Sequence, residues 1–269
     1  MENKMFASIQ NAAQNFQRDW LSSNLTVDED SRFELKYRLT YFQYLKVRNA
    51  IRPYMVPDAY TQRALANRYL VRSLYFDTSD YRAYEQKMSG DCERVKFRLR
   101  TYDIEPAATN PIRVELKLRQ GNLMVKKSVF VPIEEYQHFM AHRHWKDVQH
   151  PITTEFERQS LTQGLIPVIL VEYDREGYQT KFKSDLRITF DHRVRSAHAR
   201  MLFPAHVFFQ MLMPRSVVLE IKFKDSLPLW LGRLVREQGL KVIANSKYTQ
   251  GLQIARHDLY HPEQVILVR

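Results

Sequence analysis

One segment restricts the fold more than any other: residues 93–102, ERVKFRLRTY, in which apolar and basic side chains alternate. Three apolar residues take one set of alternate positions and four cations take the other: Val95, Phe97 and Leu99 against Arg94, Lys96, Arg98 and Arg100. Such alternation predicts a β-strand with one buried and one polar face. Same-face neighbours in a strand are about 7 Å apart, so these cations repel one another. The polar face therefore needs negative charge beside it.

A second pattern, Glu-x-Lys in an apolar-backed strand, occurs three times, at 34–36, 115–117 and 220–222. In each copy the Glu and the Lys share one face, and the central Leu or Ile faces the other way. A sheet with one solvated face, in which Glu and Lys pair across strands, explains any single copy. Taken with residues 93–102, however, the cations outnumber the carboxylates, and the opposite faces are apolar enough to pack against helices. The combination predicts a barrel with helices outside and charge inside.

A charged interior is unfavourable unless a ligand occupies it, because buried like charges repel and lose hydration. The 269 residues include 41 Lys and Arg against 30 Asp and Glu, a net charge of +11, so we expect an anionic partner. Composition leaves nucleic acid, a phosphate-rich metabolite and an acidic membrane open. Arg and Lys bind phosphate oxygens, and carboxylates hold Mg²⁺ or Mn²⁺. The strand pattern therefore favours a polyanion with a divalent cation.

Several other kinds of site are excluded by the sequence. Cys92 is the only cysteine, so neither an intrachain disulfide nor a cysteine metal cluster can form. The seven glycines form neither a P-loop nor a Rossmann fingerprint. No signal peptide and no apolar run of roughly 18 residues is present, which predicts a cytoplasmic protein. His192 follows a predicted strand and is expected at the surface.

The chain is predicted to form one α+β domain at 29–269, preceded by an extension at 1–28. Apolar residues at helical spacing predict an amphipathic helix in that extension: Met5, Ile9, Ala12, Ala13, Phe16 and Trp20. Strands are predicted at 32–39, 68–77, 93–102, 167–178, 185–191 and 216–223, and as two arms of a hairpin around the turn QGN. Helices are predicted at 41–55, 78–88, 133–141, 226–238 and 247–256. This order predicts an antiparallel sheet or barrel with helices packed outside.

Eight segments in order over about residues 31–252 carry a family resemblance: RFELKY, VRSLYFDTSDYRAYEQKMSG, VKFRLRTYD, VELKLRQGNLMVKKSV, VEYDREGYQ, LRITFD, VVLEIKF and NSKYTQG. On these segments the chain resembles the triphosphate tunnel metalloenzyme (CYTH-like) superfamily. Within it the chain is similar to the VTC (vacuolar transporter chaperone) domain, the polyphosphate polymerase module. The resemblance implies an antiparallel β-barrel tunnel, lined by basic residues and a few metal-binding acids.

The resemblance also implies roles for individual positions. Phosphate-binding side chains are implied at eight: Lys36, Arg98, Arg100, Lys117, Lys126, Arg175, Arg187 and Lys247. Lys126 is preferred to Lys127 because it shares a strand face with Ser128. Nucleotide-binding positions are implied at Arg98, Arg100, Ser246 and Lys247.

The implied cofactor is Mn²⁺ or Mg²⁺. Glu220 matches the family's metal carboxylate. Glu34 and Glu115 are further candidates for metal or water ligands.

The implied reaction transfers the γ-phosphoryl of ATP to the end of a growing polyphosphate and releases ADP. The attacking phosphate oxygen is already anionic, so alignment and charge neutralisation are what the protein must supply. The expected partners are ATP, inorganic polyphosphate and a membrane protein for export, and no nucleic acid. Two alternatives stay open. One is a hydrolase of tripolyphosphate or nucleoside triphosphates that uses water as the acceptor. The other is a non-catalytic module that binds polyphosphate or RNA, with exposed aromatics among its cations.

Overall fold

The computed structural model of the chain describes residues 33–120, 123–181 and 185–255. The strands of this part are β1 (Phe33–Thr40), β2 (Met55–Pro57), β3 (Tyr69–Asp77), β4 (Glu93–Thr101), β5 (Ile112–Gln120), β6 (Leu123–Val131), β7 (Ile166–Thr180), β8 (Arg187–Ala197), β9 (Gln210–Met211) and β10 (Ser216–Phe223). Its helices are α1 (Tyr41–Ile51), α2 (Ala59–Arg63), α3 (Arg82–Met88), α4 (Ile133–His142), α5 (Pro151–Thr162), α6 (Leu229–Glu237) and α7 (Lys247–Ala255). The predicted extension at 1–28 lies outside the described residues, so the division into two parts stays a prediction.

All these strands join one antiparallel sheet, in the order β1-β10-β8-β7-β3-β4-β5-β6, with β2 paired to β7 and β9 to β8. The predicted α+β fold with an antiparallel sheet is confirmed. The predicted closed barrel is not, because β1 and β6 do not pair and the sheet is open between them. The chain itself explains the opening. The Ile243 backbone N–H donates to the Lys36 carbonyl at 2.8 Å, and Tyr37 bridges to Val242, so residues after α6 occupy this edge of β1.

The open sheet curls until its two ends face each other. Lys117 on β5 and Glu34 on β1 belong to opposite ends of the strand order, yet the Lys117 Nζ lies 3.1 Å from a Glu34 carboxylate oxygen. The sheet therefore has an inner face, which carries these charges, and an apolar outer face.

Helices cover two separate parts of the outer face. Helices α1 and α6 enclose a core with β1, β8 and β10, which includes Leu39, Val47, Phe190, Leu219 and Leu231. Helix α5 covers β5 and β6. Its Phe156 packs edge-on against Phe76 and Phe97, with ring centroids 5.1 and 5.5 Å apart. The alternation of residues 93–102 thus places Phe97 outward, as predicted.

Helix α7 differs from the predicted arrangement, because it packs against the inner face of β7 and β8. The approach is close at Gly251. A Cβ atom there would lie 3.1 Å from the Ser196 Cβ and 3.4 Å from a Val171 methyl. A glycine therefore lets this helix enter the curl of the sheet.

Two further predictions are wrong in detail. His192 is buried in the outer-face core, where its Nε2 lies 3.4 Å from the Glu176 carboxylate. Helix α3 begins at Arg82, four residues after the start of the helix predicted at 78–88. Its first turn follows Tyr81, whose φ is 58°, and the Asp77 carboxylate accepts the backbone N–H groups of Ala83 and Tyr84.

Helix α5 has no counterpart among the predicted elements. Among the described residues, no helix combines the length and the apolar character that a bilayer crossing requires.

Candidate active site on the inner face

The inner face carries a dense cluster of charged side chains, called the basic interior below. Its described members are ten cations and four carboxylates: Lys36, Lys96, Arg98, Arg100, Arg113, Lys117, Lys126, Arg175, Lys222 and Lys247, with Glu34, Glu115, Asp191 and Glu220. All but one come from the polar positions of strands, and Lys247 comes from the start of α7. Pairing within the cluster therefore leaves a large positive surplus.

Two carboxylates share two lysines at the β1–β10 pair. The Lys36 Nζ lies 3.6 Å from Glu34 and 3.7 Å from Glu220, and the Lys222 Nζ lies 3.8 and 3.4 Å from the same two carboxylates. Lys117 adds a third cation to Glu34. Burial alone would raise the pKa of Glu34, but these lysines hold it well below its usual value. Glu34 is therefore available as an oxygen ligand in its ionised form.

A second group is built around Asp191 on β8. Arg175 binds this fully buried carboxylate with two hydrogen bonds of 2.7 and 2.9 Å, and Lys247 approaches it to 2.6 Å. These two cations keep the pKa of Asp191 low against the effect of burial. A second carboxylate, Glu220, lies 3.3 Å from the same guanidinium. Arg175 thus connects the β8 group to the β1–β10 group.

A third group surrounds Glu115 on β5, which is completely buried. Its carboxylate oxygens lie 2.6 Å from Arg98, 3.4 Å from Lys126, 3.5 Å from Arg100 and 3.9 Å from Arg113. These neighbours keep its pKa well below the usual value, although burial opposes them. A metal ion here would have to compete with four cations. The geometry therefore suits Glu115 as an anchor for arginines better than as the metal or water ligand predicted.

The guanidinium groups of β4 are also oriented by hydroxyl groups. Arg98 donates to the Tyr75 hydroxyl at 3.0 Å, and Arg100 donates to Ser73 at 3.0 Å and to Tyr173 at 3.4 Å. The ring of Tyr173 lies under two cations, with the Lys247 Nζ 4.6 Å and the Arg175 guanidinium carbon 5.1 Å from its centroid. Neutral groups thus fix the directions of the cations and add no charge.

The start of α7 closes the cluster on the remaining side. Lys96 donates to the Ser246 hydroxyl at 3.0 Å, and Lys36 donates to the Asn245 carbonyl at 3.0 Å. The Asn245 side chain is buried, and neither its amide nitrogen nor its oxygen has a hydrogen-bond partner among the described residues. The N–H groups of a helix start favour negative charge. An anion between α7 and β1 would therefore meet donors from both elements.

Burial affects the lysines of the basic interior strongly. It lowers the pKa of Lys36 to about 7 and the pKa of Lys117, Lys126 and Lys222 to about 8, although Glu34 or Glu115 opposes the shift. A low pKa of this origin means that the charged ammonium is poorly solvated. A bound anion would relieve that cost.

Seven of the eight predicted phosphate-binding residues lie in the basic interior, together with the neighbouring Ser246: Lys36, Arg98, Arg100, Lys117, Lys126, Arg175 and Lys247. Arg187 lies on the same face at the border of this cluster, opposite Lys222 in the β8–β10 pairing, where it pairs with Asp58 at 2.8 Å and stays partly exposed. The predicted metal carboxylates Glu34 and Glu220 lie together, and Glu115 lies in its own group of cations. The locations of these residues do not test the phosphate-binding and metal-binding roles, which stay predictions.

Sequence patterns left several members of the basic interior unassigned. Lys222 belongs to the third Glu-x-Lys copy, and Asp191 shares a face with Arg187 in the segment RITFD, so alternation could have found both. Arg113 likewise shares a face with Glu115. Tyr173 gave no signal, because an aromatic residue in an apolar strand normally belongs to the core.

The donor set near Glu34 and Glu220 fits a divalent metal ion. One buried Glu34 oxygen has no hydrogen-bond partner, and both carboxylates are next to the cations that would hold phosphate. Mg²⁺ is usually bound by one or two carboxylates plus substrate phosphates. The described residues form no group of three or more His, Cys, Asp and Glu arranged as a metal site. Bound phosphate oxygens and water would therefore have to complete the coordination.

Comparison with known proteins places the chain in a sequence family. The family model described as VTC domain matches residues 31–256. No curated protein sequence matches the chain significantly.

Solved structures with similar folds are distant. A candidate adenylate cyclase of Bacillus halodurans is 11% identical, with 80% of this chain and 93% of that chain covered and a TM-score of 0.49. The PH1819 protein of Pyrococcus horikoshii OT3 is 14% identical, with 83% and 99% covered and a TM-score of 0.45. The Mimivirus capping enzyme triphosphatase is 10% identical, with 84% and 94% covered and a TM-score of 0.31. At these values none of the three transfers a function to this chain.

Proposed function

The chain belongs to the VTC domain family, and we propose that it is a metal-dependent polyphosphate polymerase. In this proposal it transfers the γ-phosphoryl group of ATP to the end of an inorganic polyphosphate chain and releases ADP. The basic interior carries the proposal, because ten cations there face only four carboxylates. A linear polyanion enclosed by the curled sheet would neutralise that surplus along its whole length.

Binding would use the cations that neutral groups already orient. Arg98 and Arg100 are held by Tyr75, Ser73 and Tyr173, so little side-chain freedom is lost when a phosphate arrives. Lys117, Lys126 and Lys247 would contribute ammonium groups from β5, β6 and α7. Cations from several elements can thus contact successive phosphates of one chain.

The reaction itself asks for positioning and charge stabilisation rather than for a protein nucleophile. The terminal phosphate oxygen of the acceptor attacks the γ-phosphorus, and the bond to the β-phosphate oxygen breaks. Arginine and lysine side chains stabilise the negative charge spread over the transferring group. Because Arg98, Arg100 and Lys117 are largely buried, these interactions occur away from bulk water and are stronger there.

Glu220 and Glu34 would hold the Mn²⁺ or Mg²⁺ ion in this scheme. A bound divalent ion would supply additional charge neutralisation on the phosphate oxygens. The lysines shared by the two carboxylates, Lys36 and Lys222, fix their positions and help to keep Glu34 ionised.

The test is product analysis after incubation with ATP and Mn²⁺ or Mg²⁺. A polymerase yields ADP and long phosphate chains, with one phosphate added to a chain for each ADP released. Free orthophosphate instead of chains would indicate the hydrolase, and no nucleotide consumption would indicate a binding module. Either of those results would overturn the proposal.

Two variants control the assay. Arg98→Ala removes an interior cation and should abolish chain synthesis while the thermal unfolding transition persists. Arg233→Ala removes an exposed arginine of α6 on the outer face and should leave synthesis unchanged.

A further inference from the structure

Three tyrosines form a cluster at one end of the basic interior. Tyr60 of α2 lies over Tyr102, with centroids 5.4 Å apart and planes 25° apart, and its centroid is 5.3 Å from that of Tyr69. The Tyr69 and Tyr102 centroids are 6.0 Å apart. These separations are those of favourable aromatic pairs. The set of Tyr60, Tyr69 and Tyr102 is called the tyrosine cluster below.

The tyrosine cluster adjoins the phosphate-binding candidates on two sides. Tyr69 is directly opposite Arg175 in the β3–β7 pairing, so both side chains are on the inner face. Tyr102 follows β4, and its hydroxyl accepts a hydrogen bond from Arg113 at 3.4 Å. Helix α2, which carries Tyr60, is linked to the inner face by the 2.8 Å pair of Asp58 with Arg187.

The two ends of the basic interior differ in chemistry. Tyr102 lies just beyond the last residue of β4, whereas Arg94 lies next to its first residue. The charges around Arg94 are those of Lys87 and Arg119, with one carboxylate, Asp91, beside them. The pKa of Lys87 there is lowered mainly by burial and further by the charges of Arg94 and Arg119. One end therefore offers aromatic surface, and the other offers cations.

The tyrosine cluster is not ordinary core. Tyr60 keeps 49% of its surface exposed although two rings pack against it. An aromatic surface open to solvent and next to arginines suits a ligand with a flat apolar part and an anionic part. A polyphosphate chain has no apolar part, whereas a nucleoside triphosphate has both.

We propose that the tyrosine cluster is the nucleobase site, in which the base of the triphosphate donor stacks on Tyr60 while its phosphates enter the basic interior. This inference rests on the proposed function, since it assigns the donor's place in the same site. Stacking is tolerant of base identity, because every base has a π-face. The growing phosphate chain would then extend toward the end with Lys87 and Arg94.

The test compares the dissociation constants of ATP and inorganic tripolyphosphate in EDTA, which prevents metal-dependent turnover. Both ligands carry three phosphates, and only ATP carries a base. Tyr60→Ala should weaken ATP binding about tenfold, the lower part of the range for loss of one stacking ring, and change tripolyphosphate binding less than twofold. Tyr60→Phe keeps the ring and should bind ATP as the parent chain does.

Tyr54→Ala is the matched control, because Tyr54 is a similarly exposed tyrosine stacked at 4.1 Å on Trp230 of α6. It should change neither constant. Equal weakening of both ligands by Tyr60→Ala, or no loss of ATP binding, would overturn the nucleobase site. The proposed function fails by a different result, the absence of phosphate chains among the products of the unaltered chain.

Discussion

Glu115 shows how one buried carboxylate can hold several cations in place. It is fully enclosed, and four cations from three strands converge on its two oxygens. One negative charge cannot neutralise four positive charges, so it holds them in place and leaves most of their charge for a ligand. Asp191 likewise holds two cations, Arg175 and Lys247, with a single negative charge.

Replacing Glu115 by Gln should therefore cost stability and increase the dependence on a bound anion. The change keeps the shape but leaves four cations, of which Arg98 and Arg100 are largely buried, without their counter-ion, so we expect a loss of about 3–5 kcal/mol in the free energy of unfolding. Urea unfolding measures this loss. Added tripolyphosphate should stabilise Glu115→Gln more than the unaltered chain, because the anion replaces the missing charge.

The control for that measurement is Glu105→Gln, at an exposed loop position. It should change the free energy of unfolding by less than about 0.5 kcal/mol. A Glu115→Gln protein as stable as the unaltered chain would contradict the anchoring role.

Lys126 gives a prediction for pH. Burial lowers its pKa to about 8, although Glu115 opposes the shift. A bound polyanion favours the charged ammonium and raises this pKa, so binding takes up a proton wherever the free lysine is neutral. Affinity for tripolyphosphate should accordingly fall as the pH rises through 8.

Lys126→Arg tests this assignment, because a guanidinium stays charged through pH 10. The variant should lose less affinity than the unaltered chain between pH 7 and 9 in a calorimetric titration. Lys127→Arg, on the opposite face of β6, should leave the pH profile unchanged. Identical profiles for all three proteins would exclude Lys126 as a contributor.

At the scale of elements, alternation allowed β1, β4 and β10 to be predicted within about one residue of their observed ends. It failed for the second half of β8, where the register shifts against β7 and Arg193 has a φ of 49°. A prediction from side-chain alternation assumes a regular strand and therefore misses such a bulge. His192 lies at this irregularity, which explains why its burial was missed.

The site was predictable to the same extent. Alternation identified the cations that share a polar face in β1, β4, β5 and β10, and the family resemblance supplied Lys126, Arg175 and Lys247. The partners of these cations could not be predicted, because pairs such as Lys117 with Glu34 or Lys247 with Asp191 depend on the curl of the sheet and the position of α7. No local pattern encodes contacts between residues so far apart in sequence.

The close packing of helix α7 on the inner face can be tested by a substitution at Gly251. Gly251→Val should push the helix away from the inner face, because even a Cβ lies 3.1 Å from Ser196. We expect a loss of about 1–3 kcal/mol in the free energy of unfolding and weaker tripolyphosphate binding, since Lys247 moves with the helix.

Gly232→Ala in α6 is the control, because its Cβ would have no neighbour closer than 3.6 Å. That change should stabilise the protein by about 0.5–1 kcal/mol, since alanine is the better helix former, without altering binding. Unchanged tripolyphosphate affinity in Gly251→Val would show that the position of α7 does not matter for the site.

For the whole molecule, the open edge between β1 and β6 separates this fold from a sealed cylinder. A cylinder can take in a polymer only by one of its ends. Here the border is held by side-chain pairs such as Lys117 with Glu34 and by the few backbone contacts of residues 242–243 with β1. Neither requires a full ladder of strand hydrogen bonds to be broken.

Long phosphate chains should therefore enter and leave through the gap between β1 and β6, and need not pass end-first through an opening of the curled sheet. A polyphosphate blocked at both termini by bulky groups should compete with tripolyphosphate as well as a free-ended chain of equal length. Threading would instead make the blocked chain a far weaker competitor. For the proposed polymerase, exit through this gap also implies that chains can be released at any length, so the product lengths should be broadly distributed.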